Sequence, residues 1–282
     1  MYIFPSIDLS KIHVPEKPVQ PSVLSTGSID APKSTVCLKR ANISVFMYHY
    51  VRDHIPQDAK VIVQLSVPPK VFDEQMQHVR ELADAGKMAL LSTDELVTAT
   101  KTHCYPHAEI FTFIADDGWI DSYTALAPIA HKYRIPFSFG IITSKLGVDN
   151  FVTENEVREL LKDPLFTIIS HSVNHSDQDI MTEKQERHEI CDSKTGLEAL
   201  TGRTINTFIF PSGRMSANST KLLKECGYSL GFSTGFGKSW QESTSLLDLN
   251  RIRVYPESKP KYFDKYLVPQ EEAKTHTGSK HK

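Results

Sequence analysis

Short apolar segments alternate with helical patterns through most of this sequence, and this alternation constrains the fold more than any other feature. The strand-like segments are 43–48, 110–115, 136–143, 165–170, 206–210, 228–234 and 248–254, and only the last of them carries several charged residues. Such runs are typical of strands that are buried on both faces of a parallel sheet. About seven β–α units in series predict an α/β domain whose parallel sheet is covered by helices. A barrel and an open doubly wound sheet fit this pattern equally well.

Helix signals lie between the apolar segments. Thr153 with Glu156, and Thr182 with Gln185, have the spacing of a capping box, in which side chains satisfy the free N–H groups of a helix start. Pro128 falls inside another helical pattern and should kink or split that helix, because proline lacks a backbone N–H. The sequence therefore predicts two capped helices and one interrupted helix.

The composition is that of a globular protein. The chain has 282 residues, of which 40% are hydrophobic and 23% charged, and its formal net charge is -2. This charge argues against nucleic acid as a partner, because nucleic acid binding calls for a basic surface. No apolar run approaches the roughly 20 residues that a membrane-spanning helix needs.

The sequence also predicts the limits and the location of the folded part. We expect an extended or partly disordered N-terminal arm over 1–40, one folded domain over 41–257 and a polar C-terminal tail over 258–282. The N-terminal residues lack a basic segment followed by an uninterrupted apolar one, so no secretory signal is predicted. The four cysteines form no Cys-x-x-Cys motif and are expected to be reduced thiols. Both observations favour a cytoplasmic protein.

Polar groups and turns follow four of the predicted strands, at the point where each strand ends. They are Asp116, Asp117, His171, His175, His49 and the turn Pro211-Ser212-Gly213. Each of them alone has an ordinary structural explanation, such as a polar turn, a surface loop or a packed histidine. In both candidate architectures, however, functional groups gather at the carboxyl ends of parallel strands. Their shared position therefore favours one functional site.

Two adjacent carboxylates repel each other, so a strand that ends on Asp116 and Asp117 calls for a compensating cation. Both can serve one site only if the chain turns there, and Gly118 gives the backbone that freedom. His171 and His175 are four residues apart, so their imidazoles can converge. Two histidines and one carboxylate around an open position are typical of a catalytic divalent metal, most often Zn²⁺. We expect Asp117 to be the carboxylate ligand.

The sequence around these groups resembles the polysaccharide deacetylases of carbohydrate esterase family 4, which share the NodB homology domain. The first motif of that family, Thr-Phe-Asp-Asp-Gly, is similar to 114–118, and its second, His-Ser/Thr-x-x-His, matches 171–175 in full. The resemblance implies that Asp116 is the catalytic base. It also implies a divalent metal bound by the second aspartate of the first motif and both histidines of the second.

A longer stretch, 43–256, resembles the branch of that family that deacetylates poly-N-acetylglucosamine. The segments MYHYVRD and LSVPPKVFDEQMQ are similar to its opening motifs, and FIFPSGR resembles its Tyr-Pro-x-Gly turn. The resemblance implies that His49 is the general acid and that the fold is an irregular, incomplete (β/α) barrel. We further expect the backbone N–H of Ser212 in this turn to stabilise an oxyanion.

The sequence departs from the family at several positions. Ile114 and Ala115 replace the usual Thr-Phe, Ile209 stands where the main family has an arginine that steadies the base, and Ser212 replaces an aromatic residue. With these departures, the resemblance still predicts a metal-dependent hydrolase that removes N-acetyl groups from N-acetylated amino sugars and releases acetate. The alternatives are an amidohydrolase of small N-acyl compounds and a carbohydrate-binding protein without turnover.

Overall fold

The structure, a computed structural model, describes residues 36–235, 239–240 and 246–267. Most of the predicted N-terminal arm and the last part of the predicted C-terminal tail lie outside these ranges.

Nine strands in the described ranges form one sheet. They are β1 Asn42–Tyr48, β2 Ala89–Leu90, β3 Glu109–Ala115, β4 Phe137–Ile141, β5 Phe166–Ser170, β6 Thr207–Ile209, β7 Leu230–Phe232, β8 Ser239–Trp240 and β9 Ile252–Arg253. The α-helices are α1 Lys60–Leu65, α2 Pro69–Asp84, α3 Thr93–Thr102, α4 Ala127–Lys132, α5 Glu154–Leu160, α6 Glu183–Arg187, α7 Ser193–Thr201 and α8 Ser219–Glu225.

Seven parallel strands form a curled half-barrel. Their order is β7-β6-β5-β4-β3-β1, and β9 lies beside β1. The stretch 246–254 bridges the two edges, because the Leu249 N–H donates to Gly231 O at β7 and the Val254 N–H donates to Met47 O at β1. An irregular stretch thus spans the gap that a full strand would fill. The predicted irregular, incomplete (β/α) barrel is confirmed.

The strands are buried on both faces, as their apolar sequences predicted. Every residue of β1, β3, β4 and β5 is buried. Phe46 of β1 packs against Phe113 of β3 and against Phe263, with ring centroids 5.2 Å and 4.9 Å apart. Phe263 belongs to a 3₁₀ helix, Pro260–Tyr266, so the core extends beyond residue 257, where we placed the end of the domain.

Both predicted capping boxes are confirmed at Thr153 and Thr182. Pro128 also acts as expected: the helix around it is π-helical over Ser122–Leu126 and becomes α-helical only from Ala127. A second π-helical turn, His188–Asp192, joins α6 to α7. Such turns interrupt a regular helix and often lie near functional sites. Within the described ranges, every helix is too short or too polar to cross a lipid bilayer.

The four cysteines form two disulfides, so the expectation of reduced thiols is wrong. Cys37 pairs with Cys104 and Cys191 pairs with Cys226, with Cα atoms 4.7 Å and 5.3 Å apart. Their separations along the chain are 67 and 35 residues. The missing Cys-x-x-Cys motif excluded only local pairing, since distant residues become neighbours through the fold.

Candidate metal centre

The strand ends named in the sequence analysis come together at the carboxyl edge of the sheet. Residues Tyr48 and Ala115 are paired in register, so His49 and Asp116 leave β1 and β3 side by side. Gly140 of β4 permits a close approach of the neighbouring strands. A Cβ atom there would lie 2.5 Å from Ile209 Cδ1 and 3.5 Å from the Cβ of His171. A larger residue would force the Ile209 side chain to move.

The chain turns at the two aspartates, which lets both carboxylates face one site. Asp117 already has a φ of 73°, and Gly118 follows with a φ of 77°. The Gly118 N–H donates to the carbonyl oxygen of Asp116. Asp and Asn adopt this left-handed conformation more readily than most residues. The turn therefore begins one residue earlier than we predicted.

Asp117, His171 and His175 bring one ligand atom each to a common centre, and these atoms lie within 4.8 Å of one another. The Nε2 atoms of the two imidazoles are 3.2 Å and 3.4 Å from Asp117 Oδ1. The Nδ1 atom of His171 lies 3.0 Å from Ile209 O. A carbonyl oxygen can only accept, so Nδ1 carries the hydrogen and a neutral His171 turns a lone pair toward Asp117.

This arrangement fits a divalent cation. Asp117 Oδ1 is buried and has no hydrogen-bond donor in the described part of the chain. Lone pairs on nitrogen and oxygen that converge at this distance repel each other unless a proton or a metal ion lies between them. Imidazole and carboxylate are ligands that Zn²⁺ and related ions accept. These three residues therefore form a candidate metal site.

Trp119 fixes the orientation of the Asp117 carboxylate. Its Nε1 donates to Asp117 Oδ2 at 2.9 Å, which leaves Oδ1 for the two histidines. The indole is stacked between Tyr50 and Phe151, with ring centroids 4.5 Å and 4.1 Å away. Hydrogen bonds that orient metal ligands in this way tune the affinity of a site.

The pKa shifts at the site reflect the negative charge of its two aspartates. Burial acts to raise the pKa of Asp117, but the contact with His171 and the other nearby imidazoles hold this pKa well below its ordinary value. Burial acts to lower the pKa of His171, but the two aspartates raise it overall. Burial, helped by the charge of His171, lowers the pKa of His175. The two aspartates thus favour a positive charge at this site, which a proton or a metal ion can supply.

The carboxylate of Asp116 is held by Arg251, which the sequence analysis did not identify. Arg251 Nη1 donates to both carboxylate oxygens at 2.7 Å, and its Nε donates to Ser233 O at 2.8 Å. Burial acts to raise the pKa of Asp116, but the charges of Arg251, His171 and His49 together outweigh burial, so the pKa lies below its ordinary value. Ile209 stands where the main family has an arginine beside the base. In this chain Arg251, from the stretch that closes the half-barrel, contacts the base instead.

One signal in the sequence could have indicated Arg251. It lies between Leu249 and Ile252, in the last predicted strand of the domain. A charged side chain in such a segment is costly to bury without a partner of opposite charge. A search for that partner would have led to the unpaired carboxylates.

His49 lies beside the candidate base. Its Nε2 is 3.8 Å from Asp116 Oδ2, and its side chain is 13% exposed. Burial lowers the pKa of His49, and the charges of Asp116 and Asp117 only partly oppose this effect. The imidazole thus lies against the Asp116 carboxylate and remains partly exposed.

The predicted oxyanion turn has the conformation of a tight turn. Ser212 and Gly213 have φ values of 54° and 69°. A Cβ atom on Gly213 would lie 2.0 Å from the Thr234 hydroxyl, so only glycine fits there. One residue separates the turn Pro211–Gly213 from the end of β6. The last residue of β6 is Ile209, whose carbonyl oxygen accepts the hydrogen bond from His171. The oxyanion role of Ser212 stays a prediction.

Comparison with known proteins agrees with this geometry. Residues 106–231 match the family model described as polysaccharide deacetylase. The matched range contains Asp117, His171 and His175, while His49 and Arg251 lie outside it.

Two curated relatives are similar over most of the chain. The Bacillus subtilis (strain 168) protein YxkH, which bears a polysaccharide deacetylase name, is 24% identical over 229 residues, 81% of this chain and 77% of its own length. The poly-beta-1,6-N-acetyl-D-glucosamine N-deacetylase of Staphylococcus aureus (strain MRSA252) is 24% identical over 225 residues. That match covers 72% of this chain and 76% of the relative.

Solved structures show the same fold. The Streptococcus pyogenes deacetylase PplD, determined in complex with acetate, superposes with a TM-score of 0.74 and 27% identity, over 82% of this chain and 100% of that protein. IcaB from Ammonifex degensii gives a TM-score of 0.68 at 17% identity, over 82% and 99% of the two chains. With the site geometry, these matches show a polysaccharide deacetylase domain at residues 106–231, and the chain around it has the fold of solved deacetylases.

Proposed function

We propose that this protein is a metal-dependent hydrolase that removes N-acetyl groups from amino sugars in an oligosaccharide, polysaccharide or glycoconjugate. The observation that carries the proposal is the buried, donor-free Oδ1 of Asp117, which faces the Nε2 atoms of His171 and His175. Next to this group, Arg251 keeps Asp116 ionised. A cation site and an ionised carboxylate side by side suit hydrolysis by an activated water.

Asp117, His171 and His175 would hold the divalent ion, and two imidazoles with one carboxylate favour Zn²⁺. Bound there, the ion would supply Lewis-acid polarisation of the acyl carbonyl and a water of lowered pKa. Asp116 would accept the proton of that water at a carboxylate oxygen. Its low pKa keeps it available as a base in neutral solution.

The remaining groups would assist departure of the amine. His49 in its protonated form would donate a proton to the leaving nitrogen, which gives acetate and a free amino sugar. The backbone N–H of Ser212, in its turn between Pro211 and Gly213, would donate to the developing oxyanion. One such donor is worth about 3 kcal/mol in the transition state.

The substrate class rests on the relatives. Proteins named poly-beta-1,6-N-acetyl-D-glucosamine N-deacetylase are similar over most of this chain. The two disulfides support a substrate outside the cytoplasm, because structural disulfides persist mainly in oxidising compartments. This proposal replaces the cytoplasmic location that we expected from the sequence.

The test measures acetate release from N-acetylglucosamine oligomers and, in parallel, from small N-acetyl amines. We expect the oligomers to be the better substrates, chelation to abolish release and Zn²⁺ to restore it. His175→Ala should lose both metal and activity, whereas the surface variant His131→Ala should keep both. Asp116→Asn should keep the metal and lose about 10²–10⁴-fold in rate. Full activity in the chelated protein would contradict the proposal, and a preference for small amines would favour the alternative amidohydrolase.

A further inference from the structure

The loop between the two histidines of the candidate metal site has an uncommon backbone conformation. Ser172 and His175 both have positive φ values, 68° and 59°. The Ser172 hydroxyl accepts the His175 N–H at 2.9 Å, which ties the two ends of the loop together. Residues other than glycine adopt this conformation at an energetic cost and keep it only when surrounding contacts enforce it.

A buried carboxylate outside the metal site provides such contacts. Glu189 Oε2 accepts the backbone N–H groups of Val173 and Asn174 at 3.0 Å and 2.8 Å. Its Oε1 accepts the Asn174 side-chain amide at 2.8 Å. Glu189 is only 3% exposed. One carboxylate therefore binds the middle of the loop through three donors while Ser172 and His175 close its ends.

The position of Glu189 depends on an irregularity of the helix that carries it. Glu189 lies in the π-helical turn His188–Asp192, between α6 and α7. A π-helical turn contains an extra residue, which changes the direction of the side chains that follow. The residue whose side chain reaches the loop, Glu189, thus lies within the irregular turn.

We propose that Glu189 is a positioning residue for the metal site: its carboxylate holds the loop so that His171 and His175 converge on Asp117. Glu189 itself does not contact the three ligand atoms. The proposal rests on the metal centre proposed above. It predicts that loss of this carboxylate lowers the affinity for the metal while the apo-protein stays folded.

The substitution that tests this is Glu189→Gln, which keeps the size of the side chain. Glutamine has an NH₂ group in place of one carboxylate oxygen. This NH₂ group would face an N–H donor of the loop, so at least one of the three hydrogen bonds is lost. Glu186→Gln is a matched control. Glu186 is a carboxylate on the same helix, 1% exposed, that accepts the hydroxyls of Ser216 and Ser219 instead of the loop.

The measurement is the Kd of the metal-free protein for Zn²⁺, obtained by competition with a chromophoric chelator, together with the Co²⁺ absorption spectrum and the apo-protein Tm. We expect Glu189→Gln to raise Kd by about 10–100-fold, as is usual for groups that orient metal ligands, and to change the Co²⁺ spectrum. Glu186→Gln should lower the Tm and leave Kd within twofold of wild type.

A second variant avoids a buried substitution. Asn174 is exposed, and Asn174→Asp would place a carboxylate against Glu189, so it should also raise the Kd for Zn²⁺ in a protein with near wild-type Tm. Wild-type Kd in both Glu189→Gln and Asn174→Asp would overturn the positioning role alone. Equal increases in Kd for Glu189→Gln and Glu186→Gln would also overturn it. Failure of the wild-type protein to bind Zn²⁺ would overturn the metal centre and this proposal together.

Discussion

Arg251 donates from Nη1 to both carboxylate oxygens of Asp116 at 2.7 Å, across 135 residues of sequence. Both side chains are 2% exposed. The contact joins the end of β3 to the stretch that bridges β7 and β1, so it links the candidate base to the closure of the half-barrel. A change at Arg251 should therefore affect both the stability of the fold and the protonation of the base.

Arg251→Met should destabilise the protein and raise the pKa of Asp116. Removing one partner of a buried ion pair typically costs about 3–5 kcal/mol. Because the pKa of Asp116 is depressed in the folded state, this stabilisation is present above its unfolded pKa and lost as the pH falls. The difference in unfolding free energy between variant and wild type should thus shrink toward acid pH, as urea denaturation would show.

The same variant should shift the acidic limb of the pH–rate profile to higher pH, since the base would remain protonated further up the scale. Arg253→Met, two residues along the chain, provides the comparison. An unchanged acidic limb in Arg251→Met would show that Asp116 does not act as the base in the way proposed.

His49→Ala should impair amide hydrolysis more than hydrolysis of an activated ester. An amine needs a proton to leave, whereas the leaving group of an activated ester does not. The comparison is kcat/KM for an N-acetylated sugar and for an aryl acetate, with an expected loss of about 10²-fold or more on the amide alone. Equal losses on both substrates would indicate a structural role for His49.

Asp121 should make the fold less stable as pH rises. It is 8% exposed, and burial raises its pKa to about 7 from the ordinary 3.8. Between these two values the folded state binds more protons than the unfolded state, so unfolding free energy falls as pH rises through this window. Between pH 5 and pH 8, the unfolding free energy of Asp121→Asn should therefore rise by about 2.7 kcal/mol relative to that of wild type. Urea denaturation of both proteins at the two pH values measures this, and a constant difference would contradict it.

The Cys191–Cys226 disulfide should stabilise the domain measurably. For the 35-residue separation, the loop-entropy relation gives about 4 kcal/mol. The double variant Cys191→Ser, Cys226→Ser should thus have a lower Tm than wild type under oxidising conditions, and the two should converge in reductant. Alkylation of the unfolded, unreduced wild-type protein should modify none of its cysteines; four modified thiols would show that the disulfides do not form.

Much of the fold could be predicted from consecutive residues. The segments 43–48, 110–115 and 165–170 are apolar without interruption, and each is a strand buried on both faces. The capping boxes at Thr153 and Thr182 mark helix starts because the cap is a contact between residues three positions apart. These features depend on local periodicity, which a sequence shows directly.

The candidate metal ligands were also visible, because each follows a strand and parallel strands end at one edge of the sheet. By itself, the sequence thus determined the α/β architecture, the strands and the residues Asp117, His171 and His175 as a candidate set. Only the tertiary structure decided that Arg251 reaches Asp116, that Glu189 holds the histidine loop and that the cysteines pair. Those contacts join residues 15 to 135 positions apart. The periodicity of the sequence does not reveal these contacts, because they depend on how the sheet curls and on which helix turn faces the loop.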